Sequence, residues 1–343
     1  MAPPCDRPPL PGSVLLWKIG ALGDVLMTTP LVRQLRRALP GARIDYLTGS
    51  GCASILDGNP HVDQVRRFDA SILYRGQAAR LREVLPLLRG YECIITLDKH
   101  WIFPVLARTA GIPARIGFRR RAHEGVLLTR TVRYGALRHE IDCYLDLAEA
   151  AGWPVARDDV ALEAPLQAPF DCEAGSVALI NSGGDNANEN SRARRMPDAL
   201  FGALVETCAA QQPVVFVGSA SEAGYYERFA GAGRTNLCGR TSLAQATAVL
   251  RQAARVITTD TGLMHLAAAV NQQVTAVFGP THPLRKCPPG VRWAWRDEAR
   301  YDPRYELFGT LPAGDHFDSL TVTDILERAH PSPFAGRCAT RTA

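Results

Sequence analysis

Two acids in this chain occupy positions where acids do chemistry in parallel α/β sheets, after a short apolar run and at the head of a helix. Residues 258–283 read TTDTGLMHLAAAVNQQVTAVFGPTHP. Val256-Ile257 closes an apolar run. Thr258 to Gly262 is a small polar turn, Leu263–Val270 an apolar helix, and Val274–Phe278 a second strand stopped by Gly279-Pro280. Strand, turn, helix, strand is the unit of a parallel sheet. The turn puts Thr261, Gly262 and the next N–H groups at a helix N-terminus, where unpaired donors and a positive dipole end suit phosphate. Gly262 lets a bulky ligand approach the backbone. A carboxylate is ill placed against a diphosphate, so Asp260 reads as an acceptor for hydroxyls beside it, such as those of a sugar; its plainer reading is an N-cap. His265, in the first turns of the helix, has two readings of equal weight: a contact to phosphate or sugar, and a core histidine on the sheet.

The second acid is Asp24. Val14–Trp17 is a short apolar strand, and Lys18 to Asp24 (KIGALGD) is a glycine turn. Val25, Leu26, Leu31, Val32, Leu35, Ala38 and Leu39 then recur at helical spacing, with Arg33, Arg36 and Arg37 between them. Pro30 makes this helix kink or restart. Pro40-Gly41 ends it, and Ala42–Leu47 is the next strand. Gly20-x-x-Gly23 lacks the Gly-x-Gly of the dinucleotide fingerprint, which argues against an NAD-dependent dehydrogenase. Open parallel sheets hold ligands at the carboxyl ends of their strands, so Asp24 reads as a general base; a helix cap is the plainer alternative.

These turns need two sheets to hold them. A length of 343 residues fits two domains. Candidate strands are Val14–Trp17, Arg43–Leu47, Cys93–Leu97 and Ala114–Gly117 in the first half, and Ser176–Ile180, Val214–Val217, Val256–Thr258 and Val274–Phe278 in the second. The segment Val160–Ala174, with Pro165 and Pro169, has no clear periodicity and reads as a linker. The expected units are residues 1–168, residues 169–318, and a C-terminal helix and tail, 319–343.

The two turn regions together resemble a known family. GDVLMTTPLVRQLRRALPGARIDYLTG and TTDTGLMHLAAAVNQQVTAVFGPTHP look like the two signatures of glycosyltransferase family 9, which contains the lipopolysaccharide heptosyltransferases, in the right order and about two hundred residues apart. LRHEIDCYLDLAEAAG (137–152) resembles the family's helix at the end of its first lobe, and SLTVTDILER (319–328) its C-terminal helix. The resemblance implies an α/β chain of GT-B fold, two Rossmann-like lobes with parallel sheets facing a central cleft. The first lobe takes the acceptor, the second takes a nucleotide-sugar, most often ADP-heptose, and the C-terminal helix returns to brace the first lobe.

By that resemblance, residues 180–197 (INSGGDNANENSRARRMP) stand in the place of the phosphate-binding loop, with Ser182, Gly183 and Gly184 offering backbone and hydroxyl contacts. The family's Lys-x-Trp-Pro-like pattern reads Arg194-Arg195-Met196-Pro197 here, so Arg194 replaces the lysine and offers a fork instead of a point charge. Glu222 would accept from the ribose hydroxyls and Thr241 would meet the adenine, while a first-turn acid and a helix cap at Ser242 are the local alternatives. Lys18 matches a family lysine that serves acceptor acid, diphosphate or the orientation of Asp24; a solvated strand end is its alternative. Departing from the family, residues 290–318 contain no cysteine.

The expected reaction is a single displacement that inverts the anomeric carbon. Asp24 takes the acceptor proton, and the Thr261-Gly262 helix end with Arg194 stabilises the leaving diphosphate. No cofactor beyond the nucleotide-sugar and no metal is expected, since the histidines and nine cysteines show no paired ligand spacing. The net charge of +5 arises within residues 1–165, where Arg115, Arg119, Arg120, Arg121, Arg130 and Arg133 crowd one segment. Arg119, Arg120 and Arg121 are expected to face an acidic glycan or glycolipid acceptor, such as lipopolysaccharide core, or an anionic membrane surface; a solubilising loop is the alternative. The arginines lack interleaved aromatics, which disfavours nucleic acid. No apolar run reaches the ~18 residues of a membrane span. The odd cysteine count suits a reducing cytoplasm, with contact at the inner face of the cytoplasmic membrane. Two alternatives remain: a transferase of this fold with another donor, and a non-catalytic nucleotide-sugar-binding relative.

Overall fold

Among the residues described by the computed structural model (10–74, 76, 80–165, 168–173, 175–183, 191–296, 301–311 and 313–335), the strands form two six-stranded parallel sheets. The first holds β1 (Ser13–Trp17), β2 (Arg43–Gly49), β3 (Gln64–Phe68), β4 (Cys93–Thr96), β5 (Ala114–Arg119) and β6 (Arg130–Arg133), flanked by α1 (Leu22–Met27), α2 (Thr29–Ala38), α3 (Ser71–Tyr74), α4 (Leu81–Leu88), α5 (Ile102–Thr109) and α6 (Glu140–Ala150). The second holds β7 (Val177–Ile180), β8 (Val214–Phe216), β9 (Arg234–Asn236), β10 (Arg255–Thr259), β11 (Val274–Val277) and β12 (Arg292–Ala294). Its helices are α7 (Asp198–Ala209), α8 (Ala223–Tyr226), α9 (Leu243–Gln252), α10 (Gly262–Val270), α11 (Pro283–Lys286), α12 (Arg304–Phe308) and α13 (Val322–Leu326).

The strand orders are β3-β2-β1-β4-β5-β6 and β12-β11-β10-β7-β8-β9. Counted from the first strand of each lobe, both are the doubly wound order, with switch points between β1 and β4 and between β7 and β10. Ligands of such sheets sit outside the carboxyl ends at these points. Register brings the ends level: Trp17 lies opposite Leu47 and Thr96, and Ile180 opposite Thr258. Lys18 and the Asp98 segment therefore leave one edge together, as Ser182 and Asp260 do in the other lobe.

The central strands are buried on both faces, which is why they read as unbroken apolar runs such as VLLW, CIIT and VALI. The edge strands β3 (QVRRF), β6 (RTVR), β9 (RTN) and β12 (RWA) carry polar residues, and they are the strands that the sequence reading lacks. Pro30 acts as expected: α1 stops at Met27 and α2 restarts with the proline in its first turn. Arg33 of α2 pairs with Asp159 at 2.6 Å and Glu163 at 2.7 Å, tying the linker to the first lobe.

The expectation that the C-terminal helix braces the first lobe needs correcting. Ile325 of α13 is fully buried in a cluster with Phe201 and Val277, and Leu320, Val322 and Leu326 pack against it, so the helix covers the second lobe. That apolar face matches α7 and the β11–β12 edge, which would otherwise be open. The return to the first lobe comes later, where Phe334 stacks edge-on against His139 at 4.5 Å. Among the described residues, no helix is long and apolar enough to cross a membrane.

Candidate active site

Lys18 emerges from β1 into the switch point of the first sheet, almost fully buried. Its Nζ lies 2.5 Å from Asp98 Oδ1 and 3.3 Å from Asp24 Oδ2. Asp98 also accepts the Ile19 N–H at 2.7 Å, which fixes the carboxylate that fixes the lysine. The chain between Lys18 and α1 is short, so Asp24 stands in the first turn of α1 above the same edge. Its other oxygen, Oδ1, lies 3.3 Å from Lys286 Nζ, an ammonium of the second lobe. Burial opposes charge on Asp24, but Lys286, Lys18 and Lys99 outweigh it and hold the carboxyl well below the usual range.

The facing edge belongs to α10. Thr261 caps this helix, its hydroxyl accepting the Leu263 N–H at 3.0 Å. The cap is therefore Thr261, not Asp260. Asp260 is 3 % exposed, and its Oδ2 is buried without a hydrogen-bond donor among the described residues; Arg194 Nη1 stands 3.8 Å away. Arg194 is braced by Tyr305, whose hydroxyl accepts from Nε at 3.3 Å. His265 is buried, with Nδ1 likewise unpartnered among the described residues. Burial pushes its pKa down to about 4, so it is neutral near pH 7.

The loop after β7 is pinned at both ends. Thr259 Oγ1 accepts the Ser182 N–H at 2.9 Å and donates to the Ser182 carbonyl at 2.5 Å. Asn181 gives its amide to the Met196 carbonyl at 3.0 Å and accepts the Met196 N–H at 2.7 Å, drawing the two ends together. Gly183 is buried beside them. Gly184 lies outside the described residues.

The two edges meet through glycine. A Cβ on Gly23 would fall 2.4 Å from His265 Cδ2, and one on Gly262 would fall 2.9 Å from Leu22 Cβ. Any larger residue at either position would push α1 and α10 apart. Beside this contact, Arg285 (1 % exposed) spans the lobes: it lies 3.7 Å from Glu140 of α6 and 3.3 Å from Glu306 of α12, and it donates to Tyr134 Oη at 3.1 Å. His139 Nδ1 accepts the Ile141 N–H at 3.2 Å, which leaves Nε2–H to donate to the Cys287 carbonyl at 2.9 Å across the same seam. Lys99 pairs with Glu140 at 2.8 Å over the Tyr134 ring.

Of the remaining residues singled out from sequence, Glu222 is engaged locally. It accepts from Ser219 N and Oγ, both at 2.9 Å, and pairs with Arg195 at 3.1 Å. This is its first-turn alternative. Thr241 is half-buried beside Ser242, which caps α9 by accepting from Gln245 N at 3.3 Å. Arg119 ends β5 and donates to Thr131 Oγ1 at 3.1 Å, while the backbone N–H groups of Arg120 and Arg121 donate to Glu124. Arg119 is half-buried and Arg120 and Arg121 are exposed; the segment follows β5, two strands from β1 and so roughly 10 Å along the same edge. Trp101, 58 % exposed, lies on that edge after β4. Asp98, Lys99, Glu140, Arg285 and Lys286 are additions from the structure. Asp98-Lys99 followed a buried strand, and that position was a usable signal; the others carry no local pattern. Among the described residues, no group of three or more His, Cys, Asp or Glu side chains is placed to hold a metal ion.

Comparison with known proteins gives the family and the fold. Lipopolysaccharide heptosyltransferase 1 of Pseudomonas aeruginosa is 30% identical over 298 residues, 79% of this chain and 79% of that protein. Lipopolysaccharide heptosyltransferase 2 of Escherichia coli K12 is 27% identical over 285 residues, 76% of this chain and 81% of that protein. The structure of E. coli ADP-heptose lps heptosyltransferase II superposes with a TM-score of 0.70 at 22% identity, over 92% of this chain and 96% of that one. E. coli heptosyltransferase WaaC with ADP-2-deoxy-2-fluoro heptose gives a TM-score of 0.70 at 19% identity, over 91% and 96%. The likeness to these structures gives the GT-B fold. The family model described as glycosyltransferase family 9 (heptosyltransferase) matches residues 80–296. Two doubly wound lobes, a carboxylate on one facing a helix end on the other, and this match together place the chain in glycosyltransferase family 9, and it is a glycosyltransferase.

Proposed function

We propose that this protein moves a heptose from ADP-heptose onto a hydroxyl of an acidic glycan acceptor such as lipopolysaccharide core, with inversion and without a metal. The observation that carries the reading is the placement of Asp24, on the first lobe, against the N-terminal turn of α10 on the second, through Gly23 on His265 and Leu22 on Gly262. The donor diphosphate docks on the N–H groups after Thr261 with Arg194, and Asp260 accepts from sugar hydroxyls. His265, neutral, lines the same turn. Ser182 and Gly183 line the phosphate loop, and Glu222 and Thr241 flank the nucleoside. The acceptor hydroxyl enters from the first lobe, between Lys18 and the Arg119–Arg121 segment.

As its oxygen bonds to the anomeric carbon, the proton passes to Asp24 and the C1–O bond to the diphosphate breaks, releasing ADP. Attack on the face opposite the leaving group inverts the centre. Helix dipole and arginine carry the leaving-group charge, the task a divalent ion performs elsewhere. The names of the relatives support heptose and ADP, and the basic edge with exposed Trp101 supports a glycolipid acceptor met at the inner face of the cytoplasmic membrane. We place the lobe boundary at residue 168, within the linker that Arg33 ties down, with the nucleotide-sugar lobe running to residue 318 and the C-terminal helix and tail beyond.

The test pairs donors with a base variant. Thermal shifts with ADP-, GDP-, UDP- and TDP-sugars should single out ADP; a larger shift with another base would move the chain to a different donor. Transfer from ADP-heptose to a Kdo-bearing lipid acceptor should fall about 10²–10⁴-fold in Asp24→Asn. Undiminished transfer would remove Asp24 from the mechanism.

A further inference from the structure

Nothing in the mechanism above uses Lys286. It is the last residue of α11, its side chain is 19% exposed, and Asp24 is its only ion-pair partner among the described residues. Its position relative to the other cations is unusual. Lys18 has a first-lobe carboxylate of its own, Asp98 at 2.5 Å, and Lys99 has Glu140 at 2.8 Å. Both stay neutralised within the first lobe whatever the second lobe does. Lys286 belongs to the second lobe, the lobe that carries α10, and it reaches across the seam between the lobes to Asp24 Oδ1, the oxygen that Lys18 does not pair. Asp260 Oδ2 and His265 Nδ1, buried and without hydrogen-bond partners among the described residues, mark the adjoining turn as built for a polar ligand.

We propose that Lys286 is a counter-ion shared in turn by Asp24 and the donor diphosphate. On Asp24 it holds the lobes together and damps the base. A diphosphate at the α10 N-terminus lies on the same lobe as Lys286 and carries more negative charge than one carboxylate, so it draws the ammonium away. Asp24 then keeps only Lys18 as a direct partner and becomes a stronger proton acceptor at the moment the donor is in place. As the C1–O bond breaks, charge grows on the diphosphate and Lys286 binds it more tightly. Lys286 is thus a positioning residue that couples donor occupancy to base strength. This rests on the reading of Asp24 as base and of α10 as the diphosphate site.

Asp24 is also faced by Lys18 after β1, Lys99 after β4 and His265 on α10, with Glu140 and Tyr144 of α6 and Cys52 on the acidic or neutral side. Lys18 and Lys99 do not change partner, and His265 is neutral near pH 7. Removing Lys286 therefore takes one positive charge from Asp24 and leaves its other neighbours in place, which raises the carboxyl pKa.

The experiment is a double-mutant cycle on ADP binding by calorimetry, with wild type, D24N, K286Q and the double variant. K286Q is expected to weaken ADP about tenfold. D24N, by removing the competitor for the ammonium, is expected to tighten ADP about three- to tenfold in wild type and less than twofold in K286Q. An equal effect of D24N in both backgrounds would mean simple repulsion between Asp24 and phosphate and would overturn the proposal, as would an unchanged ADP affinity in K286Q. K286R, which keeps the charge, should restore most of the affinity; if it binds ADP no better than K286Q, the effect is packing and the proposal fails. In the pH profile of kcat/KM for the donor, K286Q should lose rate at a higher pH than wild type as the solution is acidified. An acid limb that does not move would also overturn it. The cycle needs no turnover, so an active D24N enzyme would sink the base assignment separately.

Discussion

Gly23 and His265 touch across the cleft so closely that a Cβ on the glycine would stand 2.4 Å from the imidazole Cδ2. Helix α1, which carries Asp24, and helix α10, which Thr261 caps, are thereby packed directly against each other.

Gly23→Ala separates two effects of opposite sign. Alanine favours α1 by roughly 1 kcal/mol as a helix former. The overlap with His265 cannot be absorbed by a flexible tip, so α1 and α10 must move apart. The expected outcome is a thermal midpoint within a few degrees of wild type and a transfer rate lower by about 100-fold, since displacements near 1 Å at a reacting centre cost that much. Full activity would show that the contact does not set the reacting distance.

Arg194→Met should raise the donor KM by about 10- to 100-fold, the range expected for a lost charged hydrogen bond of roughly 1.5–3 kcal/mol. The acceptor KM should change less than twofold. The check is steady-state kinetics with each substrate varied in turn; parallel rises in both would place Arg194 in the structure of the cleft and not on the donor.

The triple variant Arg119→Ala, Arg120→Ala, Arg121→Ala should raise the acceptor KM about tenfold or more and leave the donor KM within twofold. The acceptor effect should shrink as salt is raised, because Arg120 and Arg121 are exposed and Arg119 is only half-buried. Equal effects on both substrates would count against an acceptor site on this edge.

Stability should fall on acidification. His139 and His265 are buried, and burial lowers their pKa values to about 3 and about 4 from 6.5. The unfolded chain therefore binds more protons than the native one below pH 6.5, and stability present above that pH is lost as pH falls toward 4. The slope is on the order of 1 kcal/mol per pH unit for each histidine. Asp24 and Glu140, with carboxyl pKa values below the usual range, add a loss of the same sign in a more acid window. Melting curves from pH 7 to 4.5 should decline in wild type and flatten in a His139→Gln, His265→Gln variant; a flat wild-type curve would contradict the buried neutral state of both rings.

The sequence told most where local rules and tertiary structure agree. The central strands are apolar because both faces are covered, and the turns after β1 and β10 carry their glycines and acids in one short stretch. The edge strands β3, β6, β9 and β12 were not legible, because an edge needs little apolar surface and their polar residues break the apolar run. Glu222 shows a different limit: its spacing from Ser219 is that of a local cap, and such spacing does not separate a capping acid from a ligand acid. Lys286 and Arg285 lay in a stretch without periodicity. Their first-lobe partners, Asp24 near one end of the chain and Glu140 on α6, are joined to them only by the meeting of the lobes. The direction of the C-terminal helix failed for the same reason, since its apolar face fits either lobe until the β11–β12 edge is seen to need cover.

Splitting the machinery between two sheets has a consequence for wasteful side reactions. On the proposed reading, a nucleotide-sugar held by the second lobe has its proposed base, Asp24, on the other lobe, so that base comes to the sugar only where α1 packs on α10. On the same reading, loosening the α1–α10 contact should slow transfer and loss of the sugar to water together, since both would draw on one carboxylate.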